Sequence, residues 1–169
     1  MNGFDGAYTY FAANGMTEGS TQANWPRLAA QSARLGLLFI PSAGPGYEDT
    51  MVREWNSKTT RPRGQNGETL AGSMKAAITT VMSHAKDFHN NAIISLTSFN
   101  EWHEGTQIEP AKPFQFESRS YQSYEPHDPY YYLKLTREIV ENTWKHTGGD
   151  QRQRSPLSVR HSSKPKFFY

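Results

Sequence analysis

Strand-like and helix-like segments alternate three times along the chain, and this alternation constrains the fold more than any other sequence feature. Residues 6–11, 37–41 and 92–99 are short β-rich runs that lead into Gly, Pro or Asn. The last run, AIISLTSF, consists almost entirely of apolar and hydroxyl-bearing residues. That composition is typical of a parallel strand covered on both faces.

Each of these runs is followed by a helical pattern. Residues 25–35 have Pro26 in the first turn, and a glycine follows the last residue. Residues 68–88 carry apolar side chains at helical spacing. A third helix is predicted within residues 128–149, opened by Asp-Pro and closed by Gly-Gly.

The alternation predicts an α/β fold with parallel strands and right-handed crossovers. A doubly wound sheet and a (β/α) barrel both satisfy this pattern. Three strands alone leave open sheet edges, and a full barrel requires about 250 residues. We therefore interpret the 169-residue chain as the C-terminal three βα units of a (β/α)8 TIM-type barrel, a fragment of a longer protein.

Residues 1–146 and residues 147–169 differ in composition. The second segment holds five Lys and Arg against one acidic residue and has no apolar periodicity. It is predicted to be a disordered basic tail, with a nucleic-acid or membrane-surface patch as the alternative. Since the sequence has no signal peptide and no apolar run of membrane-spanning length, no membrane contact is expected from the chain, and we predict no nucleic-acid partner.

Two carboxylates, Glu101 and Glu104, follow the most apolar strand within residues 100–109, NEWHEGTQIE. Strand residues three apart face opposite sides, so both can reach one substrate only if the chain turns there. Gly105 permits such a turn. A carboxylic acid beside a carboxylate is the pair that glycoside hydrolysis requires, and the 13% aromatic content suits a surface that stacks sugar rings.

Three alternatives compete with this interpretation. Paired glutamates after a strand are often solvated loop residues, although Phe99 and Trp102 are unusual neighbours for such a loop. The histidines show no metal-ligand spacing, so neither a metal nor a cofactor is predicted. Nucleophilic catalysis lacks a Gly-x-Ser-x-Gly elbow, and the chain has no Cys.

Three longer motifs make the comparison with a known family specific. They are FDGxYTYFA at residues 4–12, FIPSxGPGYxDT at residues 39–50, and TSFNEWHEGTQIE at residues 97–109. In this order they resemble the animal members of glycoside hydrolase family 99. The resemblance covers roughly residues 2–145, so residues 1–146 are interpreted as a partial glycoside hydrolase barrel domain.

The resemblance implies a Golgi enzyme, an endo-acting alpha-1,2-mannosidase that removes glucosylated mannose from N-linked high-mannose oligosaccharides on glycoproteins. It implies that Glu101 deprotonates the 2-hydroxyl of the substrate, which forms a 1,2-anhydro sugar. Glu104 then corresponds to the residue that protonates the leaving oxygen and later activates water.

The resemblance and the aromatic composition also suggest which residues contact substrate. Predicted substrate-binding residues are Tyr8, Tyr10, Tyr47, Trp55, Asn100, Trp102 and His103. Packing in the core or in a loop is the alternative for Tyr8, Tyr10 and Trp55, and a supporting role behind the substrate is the alternative for Tyr47 and His103. For the chain as a whole, the alternative function is that of an inactive, lectin-like or interaction fragment.

Overall fold

The structure, a computed structural model, describes residues 3–56, 60–87, 92–146 and 166–168. Its helices are α1 (Trp25–Arg34), α2 (Glu68–Ser83) and α3 (Tyr131–His146). Its strands are β1 (Gly6–Tyr8), β2 (Leu38–Ile40), β3 (Ser42–Ala43), β4 (Ile93–Leu96), β5 (Phe114–Phe116), β6 (Arg119–Tyr121) and β7 (Lys166–Phe168). Short 3-10 helices lie at Gln22–Asn24, Glu54–Asn56 and Trp102–Glu104.

The predicted parallel pairing is confirmed. Strand β1 pairs with β2 in parallel, with Gly6 opposite Leu38, and β3 pairs with β4 in parallel, with Ser42 opposite Ser95. The predicted second strand, residues 37–41, corresponds to β2, and β3, which was not predicted, follows Pro41, so that β2 pairs with β1 while β3 pairs with β4. Proline has no backbone N–H to donate to a strand ladder. Pro41 therefore loses no hydrogen bond at the position where the pairing changes from β1 to β4.

The three predicted helices are present, with one difference in length. Helix α1 begins at Trp25 with proline in its first turn, as expected. Helix α2 ends at Ser83 instead of continuing to residue 88, because the next residues form a turn in which the His84 N–H donates to the Val81 carbonyl. Residues 147–149, which include the glycines predicted to close α3, lie outside the described residues.

Two strand pairings were not predicted. Strands β5 and β6 form an antiparallel hairpin in the segment between β4 and α3, where no strand was predicted. Strand β7 pairs in parallel with β4, with Ile93 opposite Lys166. Of the predicted disordered tail, only residues 166–168 are among the described residues, and they form this strand.

The core lies between the helices and the parallel strands. One cluster joins α1, β2, the second half of α2 and β4 through the buried residues Trp25, Ala29, Phe39, Ala77, Val81, Ala92 and Ile94. A second cluster joins the first half of α2 to α3 and to the segment after β4, through Ala43, Leu70, Met74, Leu96, Ile108, Ala111, Tyr124 and Tyr132. Helix α2 therefore contributes to both clusters.

Leu70 supplies a direct test of the second cluster. The Leu70 side chain is fully buried, and Leu70→Ala is expected to lower the free energy of unfolding by about 3 kcal/mol, since it removes buried methyl groups and leaves a cavity. Leu35→Ala is the matched control, because Leu35 is exposed, and it should change stability by less than about 0.5 kcal/mol. Equilibrium urea unfolding measures both, and equal losses would contradict this packing.

Candidate active site

Three buried hydroxyl groups join the ends of the parallel strands. The Ser42 N–H donates to Thr9 Oγ1 at 2.8 Å, and Ser42 Oγ lies 2.6 Å from Thr97 Oγ1. The Phe11 N–H donates to the same Thr97 oxygen at 3.3 Å. The segments that follow β1, β3 and β4 therefore begin close to one another, at the same edge of the molecule.

Gly44 lets these segments approach closely. A Cβ atom at this position would lie 2.4 Å from the Phe11 ring and 2.5 Å from the Thr97 carbonyl oxygen. Neither distance is compatible with a side chain, so glycine is required at this crossing.

The two predicted catalytic carboxylates lie on one turn after β4. Glu101 precedes the 3-10 helix Trp102–Glu104, and its side chain accepts a hydrogen bond from the His103 N–H at 3.2 Å. Gly105 ends this helix with φ of 60°, a conformation that glycine adopts without strain. The turn expected at Gly105 is thereby confirmed.

The Glu104 carboxylate contacts a tyrosine that follows β1 and an arginine of the segment between β3 and α2. The Tyr10 hydroxyl donates to Glu104 Oε2 at 2.5 Å, and Arg53 Nη1 lies 3.5 Å from Oε1. The Glu104 side chain is only 16% exposed. This carboxylate therefore has a donor on one oxygen and a cation near the other.

Asp49 orients the groups around Glu104. Its buried carboxylate accepts hydrogen bonds at 2.9 Å from Arg53 Nη1 and from the Tyr47 hydroxyl. A further donor to Asp49 is the Asn56 side-chain amide, at 2.7 Å. Tyr47 thus supports the site through Asp49, which is the alternative role considered for it.

Both site tyrosines are kept protonated by their surroundings. The pKa of Tyr10 is raised well above its ordinary value, first by burial, then by its hydrogen bond to Glu104 and by the charges of Glu104 and Glu101. The pKa of Tyr47 is raised too, first by burial and then by its hydrogen bond to Asp49. Each phenol therefore remains a hydrogen-bond donor at neutral pH.

The remaining predicted substrate-binding residues differ in their surroundings. Tyr8 and Asn100 are exposed, and Trp55 is 82% exposed on its 3-10 helix. The Trp102 indole donates to Glu109 Oε1 at 2.5 Å. His103 Nδ1 lies 3.2 Å from the Tyr121 hydroxyl, so its imidazole contacts the β5–β6 hairpin.

A buried arginine that the sequence analysis missed holds the chain immediately after Glu104. Arg63 Nη2 donates to the carbonyls of Gly105 at 2.7 Å and Gln107 at 3.0 Å, and Nε donates to Gln122 Oε1 at 2.9 Å. The guanidinium also lies over the rings of Tyr124 and Tyr132. Asp49, Arg53 and Arg63 all lie in the long segment between β3 and α2, and the length of such a connection is the one sequence signal that could have marked it as functional.

Within the residues that the structure describes, no three His, Cys, Asp or Glu side chains are grouped in a way that could hold a metal ion. None of the helices in these same ranges has the length and apolar character needed to cross a membrane.

The chain is similar to known proteins over most of its length. Residues 1–145 match the family model described as Glycosyl hydrolase family 99. A glycoprotein endo-alpha-1,2-mannosidase-like protein of Danio rerio is 51% identical over 140 residues, which are 83% of this chain and 29% of that protein. The glycoprotein endo-alpha-1,2-mannosidase of Mus musculus is 48% identical over 141 residues, 83% of this chain and 28% of its own length.

A solved structure supports the same relationship. The GH99 endo-alpha-mannosidase from Bacteroides thetaiotaomicron superposes with a TM-score of 0.71 at 45% identity, covering 86% of this chain and 40% of that one. The chain thus spans less than a third of the length of the two animal relatives and 40% of the bacterial structure.

The contact between Tyr10 and Glu104 predicts a change in phenol ionisation. In Glu104→Gln the pKa of Tyr10 should fall relative to the wild type, because the carboxylate that accepts its hydrogen bond and repels the phenolate is removed. It should remain above the ordinary value, since burial persists. Carbon-13 NMR of labelled tyrosine measures the titration, with the Tyr10 signal assigned through Tyr10→Phe.

The control for this titration is Glu109→Gln, because Glu109 binds the Trp102 indole and not Tyr10. We expect this substitution to leave the Tyr10 titration unchanged. An identical Tyr10 pKa in the wild type and in Glu104→Gln would show that the two side chains do not interact in solution.

The role of Arg63 predicts a large loss of stability on its removal. Arg63→Met deletes the hydrogen bonds to Gly105, Gln107 and Gln122, and should lower the free energy of unfolding by about 3 kcal/mol. Arg137→Met is the matched control, because its ion pair with Glu141 is exposed and such pairs contribute about 0.5 kcal/mol. Chemical denaturation compares the two variants, and a loss at Arg63 no greater than that at Arg137 would refute this role.

Proposed function

Since the chain belongs to glycosyl hydrolase family 99, we propose that it carries the catalytic carboxylates of an endo-acting alpha-1,2-mannosidase. The single observation on which this rests is that Glu101 and Glu104 lie on one turn, with Glu104 hydrogen-bonded to Tyr10 across the strand ends. The names of the animal and bacterial relatives support the choice of reaction. The proposed substrates are N-linked high-mannose oligosaccharides that bear a glucosylated mannose.

The proposed fold of the complete enzyme is a (β/α)8 barrel, of which this chain supplies the last three βα units. The parallel pairing of β1 with β2 and of β3 with β4 supports this proposal. So does the position of both carboxylates after the carboxyl end of a parallel strand, because barrel enzymes build their active sites at that end.

In the first step, the Glu101 carboxylate takes the proton from the 2-hydroxyl of the mannose to be cleaved. The freed oxygen attacks C1 of the same sugar, while the bond from C1 to the leaving oxygen breaks. Glu104, as the acid, gives its proton to that leaving oxygen. The products are a 1,2-anhydro sugar and the released glycan.

In the second step, the Glu104 carboxylate takes a proton from water, and the water oxygen attacks C1. The bond from C1 to the 2-oxygen breaks, and Glu101 returns its proton to that oxygen. Two inversions at C1 restore the original configuration.

The contacts of Glu104 suit both of its roles. The Tyr10 hydroxyl occupies Oε2, which leaves Oε1 to exchange the proton with the leaving group or with water. Arg53, 3.5 Å from Oε1, stabilises the carboxylate that remains after the proton has been donated. We propose that Tyr8, Trp55 and Asn100, which are exposed, contact the sugar.

The proposed location of the enzyme is the lumen of the Golgi apparatus. This proposal is supported only by the motifs shared with the animal members of the family. Co-staining of the endogenous protein with a Golgi marker tests it, and a signal confined to another compartment would reject it.

Catalysis is tested with the purified 169-residue chain and a glucosylated high-mannose glycan. We expect release of a glucosyl-mannose disaccharide, with Glu101→Gln and Glu104→Gln lowering the rate about 10²-fold to 10⁴-fold, because each removes a group that transfers a proton. Glu138→Gln, on the exposed face of α3, is the control and should retain the wild-type rate. Chromatography of the labelled glycan measures release.

Other outcomes of this assay have defined meanings. Glycan binding without disaccharide release would reject the enzyme and favour a lectin-like role. Release that persists in both glutamine variants would reject the assignment of the two carboxylates.

A further inference from the structure

A cleft lined by aromatic rings lies beside the turn that carries Glu101 and Glu104. Its volume is about 870 Å³, and it runs between that turn, the β5–β6 hairpin and the start of α3. The residues that matter to its chemistry are Trp102, His103, Phe114, Phe116, Tyr121 and Tyr130.

Two phenylalanine rings of the hairpin and a tyrosine of the neighbouring segment are exposed at this cleft. Phe114 and Phe116 are 56% and 53% exposed, and as alternate residues of β5 they face the same side of the hairpin. Tyr130, at the start of α3, is also exposed. Single exposed rings are common on protein surfaces, whereas several around one depression mark a binding surface.

The lining suits a ligand with one apolar face and many hydroxyl groups. The ring faces and the prolines offer apolar area, while the hydroxyls of Tyr121 and Tyr130 and the amine of Lys112 offer hydrogen bonds at its rim. Among the described residues that line the cleft there is no Asp or Glu. A neutral sugar has this combination, because its C–H groups lie on one face of the ring and its hydroxyls project around the edge.

His103 connects the cleft to the carboxylates. It lies between Glu101 and Glu104 in the sequence, and its imidazole packs against Tyr121 with ring centres 5.6 Å apart. Tyr121 in turn packs against Phe114 at 6.0 Å. A chain of sugars in contact with Phe114 and Tyr121 therefore leads directly to the turn where cleavage is proposed.

We propose that this cleft binds neutral sugar residues of the glycan beyond the scissile bond, by stacking them on Phe114, Phe116 and Tyr121. The proposal rests on the proposed function in one respect, that the same glycan also reaches Glu101 and Glu104. The cleft then sets which glycan branches and lengths are preferred, while the carboxylates carry out the reaction.

Binding to the Glu104→Gln chain tests the cleft independently of turnover. The probe is a neutral mannose oligosaccharide without glucose, titrated by calorimetry. We expect Phe114→Ala/Phe116→Ala to weaken its binding about tenfold or more, since two stacking contacts are lost. Phe4→Ala is the matched control, because Phe4 is an exposed ring outside the cleft, and it should bind as tightly as its parent.

Saturation-transfer NMR supplies a measurement that needs no further variant. Irradiation of the aromatic protons should transfer signal to C–H protons on one face of the sugars, and this transfer should weaken in the double variant. Unchanged affinity in the double variant, or transfer from the aliphatic protons alone, would overturn the proposal.

The remaining outcomes separate this proposal from the proposed function. Disaccharide release in the wild type, with the same KM in the double variant, would retain the enzyme and overturn the cleft. Oligosaccharide binding that depends on Phe114 and Phe116 without release by the wild type would support the cleft and reject the enzyme. A wild-type dimer that the double variant converts to a monomer would overturn the cleft in favour of a contact between two copies.

Discussion

The buried hydrogen bonds among Thr9, Ser42 and Thr97 are the constraint on which the rest of the structure depends. They connect hydroxyl and backbone groups from three strand ends that are 33 to 86 residues apart in sequence. Buried polar groups are costly when unpaired, so the three ends have one favourable mutual arrangement. That arrangement brings Tyr10 and Glu104 to the same edge of the molecule.

The fold was predictable wherever the sequence carries a local period. Alternating strand and helix patterns predicted the parallel strands and all three helices, because apolar spacing and the residues at helix ends are readable from neighbouring positions. Strand β3 was missed because it is very short and its partner, β4, is distant in sequence. The β5–β6 hairpin was missed for a local reason, since its turn residues Glu117 and Ser118 are not the Gly or Asn that mark a two-residue turn. The pairing of β7 with β4 likewise has no signal in the composition of residues 147–169.

The two carboxylates of the candidate site could be singled out from the sequence, but the residues that hold them in place could not. Glu101 and Glu104 stand in a distinctive motif after an apolar strand, and Tyr10 was among the predicted contacts that the structure brings to them. Arg63 looks in the sequence like any loop arginine, although it is buried between two tyrosine rings and binds the carbonyls after Glu104. Only tertiary structure reveals such a role, because each hydrogen-bond partner of the Arg63 guanidinium is at least 42 residues away.

The hydrogen bond from Tyr10 to Glu104 spans 94 residues of sequence, and this separation has a consequence for how the chain matures. Contacts between distant segments form slowly, because the intervening loop must first lose its conformational freedom. Until that loop closes, Glu104 lacks the phenol as its hydrogen-bond donor. The surroundings described for this carboxylate therefore exist only in chains whose segments after β1 and β4 have come together.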